Sequence, residues 1–320
     1  MPVRSPDQMP MVDVQEVRER LSVILAGKYR ILSQLGAGGM ATVWLALHRA
    51  HGALLAIKVL HPSFAKIPEL REAFRREAIH TAKLADHPNI VPIFDVGESD
   101  ALHYLVMPYI SGCDLDEALR RCGRFHLEDT LTVALETVKT LAYAEEKGIL
   151  HGDLTLGNIR IDHFGRILVL DFGLSQPLVS HNGINRFKIG TPYAMSPERI
   201  RGDVPDIRSD LYSLGILLLH LGSGHSPFEG KTIEEIEDQH LHRVLPIPNA
   251  LREAHHPFSH LLERFLAKDP KDRPSNAQAV ERELQAMGAM SRSLNITSLF
   301  SDSTHVPLRR RLSDLTEQVN

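Results

Sequence analysis

The chain is short of cysteine, of aromatic side chains, of long apolar runs and of charge of one sign, and each shortage removes a class of protein. Two cysteines, Cys113 and Cys122, stand nine residues apart among 320. With no second pair they build neither a disulfide framework nor a cysteine metal cage, and a reducing compartment fits. The longest apolar run, Leu214 to Leu221, is broken by Gly215 and His220 and falls far below the ~20 apolar residues that a spanning helix needs. The stretch before Arg18 has scattered charges and prolines but no continuous apolar core, so no secretory signal is read and a cytoplasmic location is expected. Basic residues number 36 and acidic residues 40, for a formal charge of −4. So even a balance offers no field for holding a phosphate backbone, and nucleic acid is not an expected partner.

What is present is ordinary globular material. Hydrophobic content of 43% and charged content of 24% exclude wholesale disorder, collagen and coiled coil. No repeat of fixed period occurs, which excludes solenoids and propellers. The length suffices for two domains or one bilobal unit with a core in each part.

Hydrophobic spacing divides the chain. Residues 13–26 carry Val14, Val17, Leu21, Ile24 and Leu25 at helical intervals behind Asp13 as a cap, and Gly27 ends the run. From Tyr29 to about Leu60 the pattern is β-rich, broken at Gly36–Gly39 and at His51–Gly52, and predicts three antiparallel strands. A helix is expected over 69–85, stopped by His87–Pro88–Asn89, then strands around Ile90–Val96 and His103–Tyr109. After a linker near 108–112 the spacing is helical over 114–121, 127–147, 208–222, 231–241, 256–267 and 275–287, with one β-rich interlude at Ile159–Leu170. The expectation is α+β: a small β-rich lobe with one main helix, followed by a larger, mainly helical lobe.

Four constellations carry chemistry. Leu35–Gly36–Ala37–Gly38–Gly39–Met40–Ala41–Thr42–Val43 is a glycine turn between two expected strands, where bare backbone amides can face phosphate oxygens. Taken alone it equally fits an ordinary hairpin turn. Ala56–Ile57–Lys58–Val59 sets one lysine among apolar neighbours on the third strand, where a buried ammonium requires an anionic partner. His151–Gly152–Asp153–Leu154–Thr155–Leu156–Gly157–Asn158 precedes a strand, and Asp171–Phe172–Gly173 ends the next. Asp153 can accept a hydroxyl proton, while Asn158 and Asp171 offer the hard oxygen ligands that Mg²⁺ prefers beside substrate phosphates.

In this order and context the blocks match the protein-kinase signature set. From about Tyr29 to Met287 the chain resembles the eukaryotic-like (Hanks-type) Ser/Thr protein kinases, and wording such as LGAGGMATVW and YLVMPYI is similar to the bacterial branch. The resemblance implies a bilobal kinase fold in which 28–288 is the kinase domain, with its N-lobe at 28–110 and C-lobe at 111–288. Residues 1–27 are then an N-terminal extension and 289–320 a flexible tail. It implies ATP and Mg²⁺, or Mn²⁺, as cofactors and Ser/Thr hydroxyls of protein substrates as acceptors. Lys58 would hold the α- and β-phosphates and pair with Glu77. Asp153 would be the catalytic base, with Asn158 and Asp171 binding the metal. Leu35, Gly36, Ala37, Gly38, Gly39, Val43 and Ala56 would surround the nucleotide, with Met107 as gatekeeper. The carbonyl of Pro108 and the N–H and carbonyl of Ile110 would meet adenine, and Asp114 the ribose, with a helix cap over 115–121 as a reading of Asp114 that can hold alongside it. Scaffold roles follow too: His151 beside Phe172, Asp210 anchoring the catalytic loop, Glu198 paired with Arg273, and Gly190–Thr191–Pro192 closing the activation segment.

Three positions depart from the family. Gly152 replaces the arginine that clamps a phosphorylated activation segment, and the hydroxyls of 171–198 are few: Ser175, Ser180, Thr191, Tyr193 and Ser196. Activity independent of phosphorylation there is the expectation. Thr155 replaces the lysine that steadies the γ-phosphate, and Arg160 stands where most members have an apolar residue, turned by strand alternation toward the adenine floor. These two leave a pseudokinase scaffold as the alternative, and HGDL followed by asparagine is also similar to aminoglycoside-type phosphotransferases. Eighteen histidines occur. His220, His225, His240, His242, His255, His256 and His260 carry no acid or cysteine at a ligand spacing and are read as solvated surface rather than a zinc site. In the tail, Arg309–Arg310–Arg311–Leu312–Ser313 reads as a solvated basic cluster rather than a pseudosubstrate.

Overall fold

The computed structural model describes residues 14–38, 40–99, 102–173 and 192–295. Expectations for Asp13, Gly39, Ser175, Ser180, Gly190, Thr191 and Ser313 lie outside the described residues. The small lobe runs α1 (Val14–Ile24), β1 (Tyr29–Ala37), β2 (Ala41–His48), β3 (Leu54–Leu60), α2 (Pro62–Ala65), α3 (Pro68–Lys83), β4 (Asp95–Ser99) and β5 (Leu102–Pro108). Its five strands pair antiparallel in the order β1-β2-β3-β5-β4.

Strand alternation makes this lobe a three-layer sandwich. Leu55, Ile57 and Val59 of β3 join Leu102 and Val106 of β5 on one face, which α1 covers with Val17 and Leu21. Ala56 and Leu60 join Leu105 and Met107 on the other, which α3 covers with Leu70, Ala73, Phe74 and Ala78. The helix read from spacing at the N-terminus is thus an outer layer of the lobe. Lys58 shares the register of Ala56 and Leu60, so the fold itself aims it at α3.

One expected strand is corrected. Ile90–Val96 is not a continuous strand: Ile90 makes a single bridge to Val169, and β4 starts only at Asp95. Pro92 lies in the middle of the run, removing a ladder N–H and restricting Val91 before it.

The large lobe begins with β6 (Gly112–Asp114), α4 (Leu115–Cys122), α5 (Leu127–Glu146), β7 (Ile159–Asp162) and β8 (Ile167–Val169). It continues with α6 (Pro197–Arg201), α7 (Ile207–Ser223), α8 (Ile233–His242), α9 (Asn249–Ala254), α10 (His256–Phe265) and α11 (Ala277–Ala286). Strands β6, β7 and β8 form a second antiparallel sheet. Gly112 is needed at its entry: φ is +143°, and a Cβ there would stand 2.0 Å from the Ile161 carbonyl oxygen. Helix α7 is buried on nearly every side, from Ile207 to Leu221, and is the post around which the lobe packs. Glu198 of α6 is tied beneath it to Arg273 by two parallel bonds of 2.8 Å, with the Arg273 side chain fully enclosed.

The histidines are not uniformly solvated. His240 is fully buried; its Nδ1 lies 2.9 Å from the Tyr212 hydroxyl and its ring 4.0 Å from that of Phe228. Burial, with Lys268 adding in the same direction, pushes its pKa down to about 3, so it is a neutral core residue. Its apolar neighbours in the fold, distant in sequence, decide this.

Because Leu21 is fully buried between α1 and the sheet, Leu21→Ala should cost about 2–5 kcal/mol of stability in denaturant unfolding. A loss below about 1 kcal/mol would mean that α1 is appended to the lobe and not packed as a layer of it.

Candidate active site

The two lobes meet at an ammonium held between two carboxylates. Lys58 Nζ lies 2.7 Å from Glu77 Oε1 on α3 and 2.9 Å from Asp171 Oδ2, just past β8. With 2% of its side chain exposed, Glu77 is the most enclosed of the three. Burial raises its pKa against the pull of Lys58, with the Asp171 charge adding to the rise, to about 8. Burial opposes the charge of Lys58 as well, but Asp171 and Glu77 outweigh it and the shift is upward. For Asp171 the balance falls the other way, since Lys58 overcomes burial and holds the carboxyl below its ordinary range. One ammonium thus serves two carboxylates, and Asp171, the one held in its ionised form, can also face a phosphate-bound divalent cation.

The loop 151–158 is held from below. Asp210, in the first turn of α7, accepts the backbone N–H of His151 and of Gly152, each at 2.8 Å. Burial raises its pKa against these bonds. Gly152 is left-handed at φ +78°, a conformation that suits glycine and that a side chain would strain. The His151 and Phe172 rings are 4.7 Å apart, both fully buried, and His151 Nδ1 accepts the N–H of Asp153 at 3.3 Å. Asp153 is half-buried at the cleft.

Asn158 donates Nδ2 to the Asp153 carbonyl at 2.7 Å, which leaves its amide oxygen as an acceptor. Together with the Asp171 carboxylate this gives an all-oxygen donor set, which fits Mg²⁺ or Mn²⁺ rather than a softer metal. Asp171 is the one non-glycine residue at positive φ (+60°) among those described. Such strain persists where the surroundings over-determine it. Neighbouring bonds do so: Leu170 N–H to the Asn158 carbonyl at 2.9 Å and Gly173 N–H to the His151 carbonyl at 3.2 Å.

Around the cleft, Val43 pairs with Lys58 and Ala56 with Met107 in register. Leu35, Gly36 and Ala37 end β1, and the Gly38 N–H donates to the Ala41 carbonyl at 2.8 Å. Pro108 closes β5 opposite Leu55. The Arg160 guanidinium donates to the carbonyls of Ile110 at 3.3 Å and Gly112 at 2.6 Å, so it braces the linker, and the Ile110 carbonyl keeps one lone pair for another donor. Asp114 caps α4 by accepting the Glu117 N–H at 2.8 Å, as its helix-cap reading supposes.

A groove of about 350 Å³ opens beside the loop 151–158, with Asp114, Asp116, Thr155, Gly157, Tyr193 and His220 among its walls. Asp116, Tyr193 and His220 were not singled out as site residues from sequence. His220, read from sequence as solvated surface, is half-buried near the end of α7 and lines the groove.

Asp210→Asn should remove one of two acceptors for buried amides and cost about 1–3 kcal/mol. Hydrogen exchange of the His151 and Gly152 amides should accelerate with it; unchanged protection would show that the loop is held by something else.

These features coincide with known proteins. The chain matches the protein kinase domain family over residues 29–284. It is 35% identical over 270 residues to the serine/threonine-protein kinase PrkC of Bacillus subtilis, which takes in 82% of this chain and 40% of that protein. To the serine/threonine-protein kinase PksC of Streptomyces coelicolor it is 35% identical over 278 residues, 83% of this chain and 50% of that one. The figures for the serine/threonine-protein kinase PknB of Mycobacterium leprae are 34% over 274 residues, 81% and 43%. The chain thus spans half or less of the length of these relatives. Among solved structures, the PknI kinase domain of Mycobacterium tuberculosis superposes with a TM-score of 0.64 at 27% identity, over 81% of this chain and 96% of that one. The chain belongs to the protein kinase domain family, in its bacterial Hanks-type serine/threonine branch.

Proposed function

We propose that the chain is an ATP- and Mg²⁺-dependent protein kinase that transfers the γ-phosphoryl group to serine or threonine hydroxyls of protein substrates, without needing a phosphorylated activation segment. The reading rests above all on the bridge of Lys58 to both Glu77 and Asp171, which unites both lobes and holds an ammonium at the cleft where phosphates belong. The kinase domain is taken as 28–288 and the setting as cytoplasmic. Among the described residues no helix is long and apolar enough to cross a membrane.

Each residue has a task. Lys58 orients the α- and β-phosphates while Glu77 holds it in place. Asp153 accepts the proton of the acceptor hydroxyl, with its main chain fixed by Asn158. Asn158 and Asp171 would hold the divalent ion, which supplies charge neutralisation to the phosphates. The glycine turn faces the phosphates, while Ala56, Met107 and the linker from Pro108 to Ile110 enclose the purine, with Arg160 stiffening that linker. An acceptor segment lies along the groove by Thr155 and Gly157.

Thr155 favours a second reading, a nucleotide-binding scaffold, because it brings no cation to the transferred phosphate. One assay separates the two. With radiolabelled ATP and generic protein substrates, the wild type should transfer phosphate. Lys58→Met should lose about 10²–10³-fold and Asp153→Ala about 10²–10⁴-fold. Nucleotide binding without transfer in the wild type would leave the scaffold.

A further inference from the structure

The position that Gly152 leaves without a side chain is served from another direction. Arg199, the residue after Glu198 on α6, donates Nη1 to the Gly152 carbonyl. That carbonyl belongs to the peptide bond whose nitrogen is Asp153's. The N–H of Gly152 is held by Asp210, so both sides of this one residue are fixed by charged side chains, an anion from α7 and a cation from α6. The donor is itself anchored: Glu198 next to it is locked to Arg273 and takes a further bond from the Ser209 hydroxyl at 2.5 Å. Arg199 is half-buried; burial lowers its pKa, and the charges of Asp210 and Asp153 oppose that shift in part.

Direction of attachment is what distinguishes this arrangement. An arginine projecting from the catalytic loop reaches outward and finds its anion only when the activation segment carries one. Here the guanidinium projects inward from the end of that segment onto a main-chain carbonyl, an acceptor that is always present. We propose that Arg199 is a positioning residue that fixes the peptide plane of Asp153 and couples α6 to the catalytic loop permanently, in place of a phosphate-dependent clamp. This rests on Asp153 being the base of the proposed kinase, and it adds the means by which that site stays assembled.

The test compares full-length wild type with Arg199→Met and Arg199→Lys, all first treated with phosphatase. Arg199→Met should lower kcat by roughly ten- to a hundredfold, the size of effect expected for a base displaced by about an ångström, while KM for ATP stays within about twofold, since the nucleotide contacts are untouched. Arg199→Lys, which keeps a donor, should recover much of the loss, and added guanidinium chloride at low concentration should partly restore Arg199→Met. Exchange of the amides of 151–153, read by mass spectrometry without turnover, should quicken by about tenfold or more in Arg199→Met and far less in Arg199→Lys. A kcat unchanged in Arg199→Met would overturn the proposal. So would equal losses in kcat and in nucleotide affinity with no recovery by lysine or guanidinium, since that pattern marks general unfolding. Should the wild type itself transfer no phosphate, the kinase reading fails alone, and the exchange comparison still decides whether Arg199 holds the loop.

Discussion

A carboxylate enclosed in protein and accepting two main-chain amides is the constraint from which the site follows. Asp210 sits in the first turn of α7, the most buried helix of the large lobe, where the dipole of the helix favours an anion. Its two bonds to His151 and Gly152 set the start of the loop. Four consequences follow in chain order: the His151 ring meets Phe172, its Nδ1 takes the Asp153 amide, Asn158 folds back on the Asp153 carbonyl, and Leu170 bonds to Asn158. Asp171 is thereby delivered to Lys58. The sheet on which Lys58 stands is built independently, by the period of two in β3, so the ion triad records whether the two lobes have met correctly.

Much of this was legible in the residues because it is local. The glycine turn, the strand lysine and the loops at 151–158 and 171–173 each hold their groups within a few positions. The order of the blocks then carried the pairing of Lys58 with Glu77 and of Glu198 with Arg273, which spacing alone could not. Boundaries failed where one residue overrode a pattern, as Pro92 does in the run before β4. Burial failed where partners are remote: His240 owes its neutrality to Tyr212 and Phe228, and nothing near it in sequence announces that. Arg160 was placed on the correct strand, yet its guanidinium is satisfied by carbonyls of the linker, because a planar donor beside a curved main chain finds acceptors before it finds a ring.

The departures from the family share a physical theme. Gly152 and Thr155 put no charged side chain on the loop where the family resemblance implies one. Compensation comes from outside the loop, with Arg199 on the Gly152 carbonyl and Arg160 on the linker, both bonded to main-chain oxygens. A main-chain acceptor does not come and go with modification or pH. On the function proposed, the site holds a constant geometry rather than switching through its own loop.

That conclusion is tested most directly by phosphoryl transfer from enzyme stripped of phosphate and verified as such by mass spectrometry, compared with untreated enzyme at equal concentration. The account predicts equal initial rates, within about twofold. A fall of about tenfold or more, near 1.4 kcal/mol of barrier, with recovery when phosphate returns to the activation segment, would contradict it.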